Sequence, residues 1–443
     1  MADNQSEPSK QRTLVLCFDG TTNQYGSENT NVVRFFSLLK KDDSALQLCY
    51  YQPGVGTYFQ PGVVSPLFEW CAKILDEAVA WYLNAHVMEG YNFLMQNYRT
   101  GDKICIFGFS RGAYTARALA GFLHKIGLLS RDNVQQVPFA FKLYQRTDTA
   151  SEALCSGFKQ TYCRDVKIDF IGVWDTVASV GVISGRTLPF ITSNKAVRTF
   201  RHACSLDERR CKFRPNLFHR PAPSESGAKN DPEHASPVVS PTTGKHPDVK
   251  PNIDQLRSGK KRHLSDDDDD DEEEGGGTDV LEVWFAGCHS DVGGGSVPND
   301  AKHTLANVSF RWMVREVMAS QCGILFDEAA LVRNGIHDSA APIMSATIMA
   351  AMKPCWTDAL QPLYDQLVLN KLWWILEILP LMYYWQGADG CWHKNLRINM
   401  GRGRIIHQDC PKFHISVRER MADKKLNYSP KVTWKKGTEE YVD

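Results

Sequence analysis

Residues 103–126 read KICIFGFSRGAYTARALAGFLHKI. Lys103 to Phe107 (KICIF) has the pattern of a short buried strand, and Ala113 to about Ile126 places apolar residues at helical spacing. Between the two lies Gly108-Phe109-Ser110-Arg111-Gly112, a G-x-S-x-G pentapeptide on a strand-to-helix turn. A serine hydroxyl is a weak nucleophile until a base removes its proton. A sharp turn lifts it above the sheet edge at the N-terminus of a helix, where the helix dipole favours developing negative charge. Gly108 and Gly112 leave space for so tight a backbone. The pentapeptide alone recurs by chance, and an ordinary turn is the competing reading. The strand before and the helix after favour Ser110 as a candidate nucleophile.

Further apolar runs lie on both sides of this unit. Thr13 to Phe18 (TLVLCF) runs into Asp19-Gly20-Thr21-Thr22-Asn23, a strand entering a turn. Asn29 or Thr30 can cap a helix to about Leu39. Leu46 to Tyr51 (LQLCYY) is a second strand, followed by the glycine-rich loop at Pro53 to Thr57 and a long amphipathic stretch from Trp70 to about Tyr98. Val166 to Val173 (VKIDFIGV) ends at Trp174-Asp175-Thr176, and Val280 to Ala286 (VLEVWFA) ends at Gly287-Cys288-His289. Asn299 to about Ser320 again has helical spacing. Strands alternating with helices predict a doubly wound, mainly parallel sheet with helices on both faces.

The base and its orienter for a serine nucleophile belong at the ends of later strands, in the order Ser, then Asp or Glu, then His. Asp175 and His289 meet both conditions. Taken singly, an Asp at a strand end is commonly a turn or capping residue, and a His in a glycine-rich loop is commonly only exposed. Asp291 is the alternative orienter, though close to His289 in the chain. An oxyanion hole needs two backbone N–H groups. Arg111, directly after the nucleophile, is one candidate donor, and Gly20 or Thr21 after the first strand the other.

Composition narrows the partners. Of 443 residues 43% are hydrophobic, ample for a large core, and Lys+Arg and Asp+Glu balance at 51 each. A neutral chain has no global field drawing it to nucleic acid or to an anionic membrane, so a small-molecule or lipid substrate is easier to accommodate and nucleic acid is not expected. The polar start, Met1 to Arg12, reads as a disordered tail without a secretory signal. No run is long enough to span a bilayer, and the expected location is cytoplasmic. Thirteen scattered cysteines contain no CxxC pair, so neither structural zinc nor another metal or cofactor is expected. Cys17, Cys105 and Cys288 sit in apolar runs, as buried reduced thiols do. Residues 221–278 are rich in Pro, Ser, Lys and His, then carry the unbroken acidic run Asp266 to Glu274. That composition predicts a disordered insertion within a catalytic domain of residues 13–220 and 279–350. Within it, Lys260-Lys261-Arg262 and Ser265 read first as solvated loop and second as a phosphorylation or targeting site. Residues 351–443 form an aromatic-rich, helical C-terminal cap. In it, Trp373-Trp374-Ile375-Leu376 reads first as a packing helix and second as an acyl-pocket or peripheral membrane-contact segment.

Five pieces together resemble the catalytic domain of the type VI secretion phospholipase effectors, an α/β-hydrolase module. They are LVLCFDGTTN (14–23), FGFSRGAYTARALAG (107–121), IGVWDTVASVG (171–181), FRHACSLDERR (200–210) and WFAGCHSDVGGG (284–295). The resemblance covers most of residues 13–320 and implies a triad at Ser110, Asp175 and His289. It further implies hydrolysis of a lipid or phospholipid ester through an acyl-enzyme. Arg201, Asp207, Glu208 and Arg209 match one of its motifs, read here as a charge network beside the site. The acidic insertion is not part of the resemblance, and no further membrane-anchoring module is recognisable.

Three rivals remain. A soluble small-ester or thioester hydrolase uses the same site without membrane contact. A non-catalytic scaffold keeps the frame and uses the acidic insertion as an interaction tail. A phosphatase of the haloacid dehalogenase kind opens with D-x-D-G-T, but the attacking carboxylate would stand at Cys17. Oligomeric state, acyl chain and head group are not legible in the sequence.

Overall fold

The computed structural model describes residues 11–54, 76–177, 194, 196–219, 277–336, 356–387 and 391–443. The acidic run and most of the N-terminal tail lie outside them.

Twelve strands occur among the described residues: β1 Thr13–Phe18, β2 Gln47–Gln52, β3 Lys103–Phe109, β4 Leu128–Leu129, β5 Cys163–Arg164 and β6 Ile168–Trp174 come first. They are followed by β7 Val197–Ser205, β8 Asp279–Phe285, β9 Pro380–Gln386, β10 Trp392–Ile398, β11 Lys412–His414 and β12 Glu440–Val442. Eight build one sheet in the order β12-β11-β8-β7-β6-β3-β1-β2, and every neighbouring pair in it is parallel. β4–β5 and β9–β10 are small antiparallel pairs outside it.

Alternation along β1 explains why both faces are covered. Leu14, Leu16 and Phe18 belong to one buried cluster with residues of the helices Asp76–Asn97 and Arg111–Ile126. Val15 and Cys17 point the other way, into a cluster with the helices Asn31–Leu38 and Ala306–Ser320. The first strand is fully buried, as a continuous apolar run predicts. Thr30 caps the helix Asn31–Leu38, its side chain accepting from the Val33 N–H.

The chain reverses its direction across the sheet at β1. β2 flanks one side of β1 and β3 the other, so the carboxyl ends of β1 and β3 border a topological switch point, where ligands bind in open α/β sheets. The predicted doubly wound architecture is the one observed. The C-terminal region carries helices and also more: β11 and β12 extend the main sheet beyond β8, and a third buried cluster joins Trp284 of β8 to Phe413, Val417 and Val432.

Candidate active site

The turn after β3 is built as its glycines require. A Cβ on Gly108 would lie 2.5 Å from the Gly112 carbonyl oxygen, and one on Gly112 would lie 2.2 Å from the Phe18 carbonyl oxygen. Ser110 follows with φ +58° and ψ −122°, a conformation that costs a non-glycine residue on the order of 1–3 kcal/mol. Its N–H donates to the Trp174 carbonyl at 3.0 Å, and the helix Arg111–Ile126 starts at the next residue. Ser110 is therefore locked to the end of β6.

Phe109 pairs in register with Trp174, so Ser110 and Asp175 leave adjacent strands side by side. Asp175 also has a positive φ, +39°. Its side chain is fully buried and densely partnered. Oδ2 lies 2.6 Å from His289 Nδ1, while the Ser205 N–H and Oγ donate to the carboxylate at 2.9 and 3.1 Å. The buried Arg404 grips it in a fork, Nη1 to Oδ1 at 2.6 Å and Nη2 to Oδ2 at 2.9 Å. Burial alone would raise this carboxyl. The Arg404 guanidinium and His289 instead hold it far below the usual carboxylate range.

His289 opens the short helix His289–Gly293 after β8. Its ring lies between the Phe109 ring, centroid 4.6 Å away, and the edge-on Phe213 ring at 4.8 Å. Burial among these groups lowers the imidazole below its ordinary value, against the upward pull of Asp175. The imidazole is therefore uncharged at neutral pH. With Nδ1 committed to Asp175, Nε2 is the nitrogen left to take a proton.

The loop carrying His289 is fixed by the motif flagged at 200–210. Asp207 accepts from the Gly287 N–H at 2.7 Å and Glu208 from the His289 N–H at 3.2 Å. Glu208 is paired with Arg210 at 2.8 Å. Burial would raise its carboxyl, yet Arg210 draws it down to about 2. Arg201 joins Asp279 and Glu316, and Arg209 joins Asp365. Their ion pairs are separate rather than one network, and the carboxylates of Asp207 and Glu208 hold the histidine loop directly. Asp291 turns away from the imidazole. Its Oδ2 accepts the Cys288 N–H at 2.8 Å and the Tyr364 N–H at 3.0 Å, capping the helix. Burial pushes its carboxyl up to about 7.

The two oxyanion-donor candidates after β1 differ. The Gly20 N–H points back onto Asp19 Oδ1 at 2.7 Å. Asp19 also accepts from Thr30 Oγ1 and Tyr51 OH, both at 2.8 Å, and burial raises its carboxyl to about 6 despite these bonds. The Thr21 hydroxyl, by contrast, is a buried oxygen with no hydrogen-bond partner. Arg111 follows Ser110 directly and occupies the first position of the helix Arg111–Ile126.

Among the described residues, His202, Cys204 and Glu282 bring potential metal-ligand atoms within 4.8 Å of one another. Both His202 nitrogens are already used: Nδ1 meets Glu282 at 2.8 Å and Nε2 accepts the Thr176 N–H at 3.0 Å. That arrangement braces the turn at Asp175 and would have to be dismantled to hold an ion.

Sequence reasoning missed Arg404, Ser205, His202 and Phe213 as parts of this site. The stretch 200–210 carried a signal for two of them, since Ser205 and His202 fall inside it. Arg404 lies 229 residues from Asp175 and carried none.

Comparison with known proteins gives three findings. The family described as T6SS, phospholipase effector Tle1-like, catalytic domain, matches residues 12–316. An uncharacterized protein of Saccharomyces cerevisiae is 29% identical over 536 residues, covering 90% of this chain and 78% of its own. A crystal structure of an uncharacterized protein from Pseudomonas aeruginosa is similar at a TM-score of 0.36 and 17% identity, covering 77% of this chain and 50% of that one. The present chain thus spans about half the length of that solved protein.

Proposed function

This chain belongs to the Tle1-like phospholipase effector catalytic domain family, and from that premise we propose that it is a serine esterase acting on lipid esters, phospholipids foremost. Ser110 is the nucleophile, His289 the base and Asp175 its orienter. The observation that carries the reading is the 2.6 Å contact of His289 Nδ1 with Asp175, on a strand end hydrogen-bonded to Ser110 through Trp174.

Ser110 Oγ attacks the ester carbonyl carbon as its proton passes to His289 Nε2. Asp175 keeps the imidazole in one tautomer and stabilises the imidazolium. The carbonyl oxygen, now anionic, accepts from the Arg111 N–H, with the Thr21 turn supplying the second donor. Collapse of this intermediate breaks the carbon–oxygen bond to the alcohol, which leaves with the proton from His289. Water then attacks the acyl-serine by the same base and regenerates Ser110. Arg404 is a positioning residue: it fixes the carboxylate of Asp175 and offsets part of its charge.

In the domain organisation we propose, residues 13–220 and 279–350 form the catalytic unit around the insertion at 221–278. The C-terminal region 351–443 contributes Arg404 to it.

A fluorophosphonate probe tests the chemistry. It should label the wild-type protein and leave Ser110→Ala unlabelled. Equal labelling of both, or none of either, refutes the reading and favours a scaffold on a hydrolase frame.

A further inference from the structure

The segment between the site and β11 presents its apolar side chains to solvent. Leu369 is 61% exposed and Ile375 49%, while only Leu367, Leu376 and Glu377 of the helices Gln366–Leu369 and Trp374–Glu377 are buried. The same character continues into the hairpin. Ile378 and Leu379 are exposed and lead directly into Pro380, whose register partner is Ile398. Along that hairpin Met382 pairs with Leu396 and Tyr384 with Lys394, so these side chains share one face. Met382 and Leu396 are 48% and 59% exposed. A solvated sheet face is normally polar; this one is apolar with a lysine at its end. Single exposed apolar residues need no explanation, but a contiguous set does.

The segment is firmly held and touches the site. Glu377 is fully buried and accepts the Cys211 N–H at 2.7 Å and the Gly401 N–H at 3.0 Å. Trp373 packs edge-on against Phe213 at 5.5 Å, and Phe213 packs against His289. Arg210 lies over both the Phe213 and Trp373 rings. The exposed face is therefore continuous with the wall of the histidine. Among the described residues of 365–402 the exposed ammonium and guanidinium groups are those of Lys371, Lys394 and Arg402, whereas Glu377 is buried and Asp365 is paired with Arg209.

We propose that the outward faces of Gln366–Leu379 and of the β9–β10 hairpin form one docking surface, whose occupant is an anionic phospholipid bilayer. Apolar side chains enter the acyl boundary, and the surrounding cations meet the headgroups. The seated enzyme then draws its ester from the bilayer beside Trp373 and Phe213. This rests on the esterase reading above.

Sedimentation with vesicles tests it, with Ser110→Ala protein so that the vesicles stay intact. Phosphatidylcholine vesicles containing phosphatidylserine should carry the protein down, and pure phosphatidylcholine vesicles much less. The triple substitution Ile375→Glu, Met382→Glu, Leu396→Glu should lower partitioning about tenfold or more. In the Ser110 background the same substitutions should leave hydrolysis of a soluble short-chain ester unchanged. If that triple variant fails to fold, Met382→Ser with Leu396→Ser replaces it. Absence of vesicle binding, or equal binding by wild type and variant, overturns the proposal. So does concentration-dependent dimerisation that the substitutions abolish without any vesicle binding, because the face would then belong to a second copy. Strong vesicle binding with no hydrolysis of any ester would sink the esterase reading and leave the docking surface standing.

Discussion

Replacing Arg404 by Met isolates what the buried cation does for Asp175. The substitution keeps most of the side-chain volume and removes two hydrogen bonds to the carboxylate, at 2.6 and 2.9 Å. Asp175 keeps the Ser205 N–H and Oγ and the His289 ring as partners. It stays buried with its counter-charge gone. Removing one member of a buried ion pair costs about 3–5 kcal/mol. In a chain of this size, where unfolding entropy scales with length, that is a fall in Tm of roughly 4–6 °C, short of complete unfolding. The second effect is on the imidazole. Burial lowers His289 and Asp175 raises it. With Arg404 absent, the full charge of Asp175 acts on the ring and its pKa rises. The base is active only when neutral, so the acid limb of kcat/KM moves to higher pH by the same amount. The assay is the pH–rate profile on a soluble chromogenic ester, with circular dichroism at each pH to show that the variant is folded. Arg404→Lys should give an intermediate profile, since a point charge replaces the fork. An acid limb in Arg404→Met that overlays the wild-type limb, in a folded protein, would refute the electrostatic role and leave Arg404 a structural residue only.

Further substitutions probe the neighbouring groups. Ser110→Ala and His289→Ala should each abolish ester turnover, with far-UV circular dichroism unchanged. Asp175→Asn should keep a residual rate about 10⁴-fold below wild type, as a misoriented base beside an intact oxyanion hole does; near-full activity there, with loss in Asp291→Asn, would transfer the orienter role to Asp291. Asp291→Asn should otherwise affect stability. The folded carboxyl sits at about 7, above its unfolded value, so wild-type stability declines as pH rises from about 4 to 7. The amide can accept the same two N–H groups without ionising, so thermal unfolding should show it more stable than wild type at pH 8 and indistinguishable near pH 4. Deleting 221–276 should leave hydrolysis intact, and loss of soluble protein on deletion would show that the segment is needed for folding.

The strands carrying the candidate site were legible because each is a mainly apolar run ending in a turn residue. KICIF before Ser110, FIGVW before Asp175 and VLEVWF before the Gly287–His289 turn are of this kind. β7, Val197–Ser205, escaped notice as a strand because Arg198, Arg201 and His202 interrupt its pattern. Two of those polar residues are buried with partners far along the chain: Arg201 with Asp279 and Glu316, and His202 with Glu282. β11 and β12 have three residues each, too few to show a period. Pairing at long range is also what hid Arg404, since nothing local distinguishes an arginine that will meet a carboxylate from one left in solvent. For Trp373 to Leu376, packing and exposure were both open, and the four residues divide: Leu376 is buried, while Trp374 and Ile375 stand out into solvent.

The union of β7 and β8 bears on how this architecture can change. The two strands lie side by side in parallel, Thr199 opposite Asp279, although all the chain between Ser205 and Asp279 separates them. Closing such a crossover has an entropic cost that grows only with the logarithm of its length, so doubling it adds roughly 0.6 kcal/mol. Length at this crossover is thus nearly neutral to the sheet, and homologues are free to diverge there by many residues while Asp207 and Glu208, just past β7, still meet the Gly287–His289 turn just past β8.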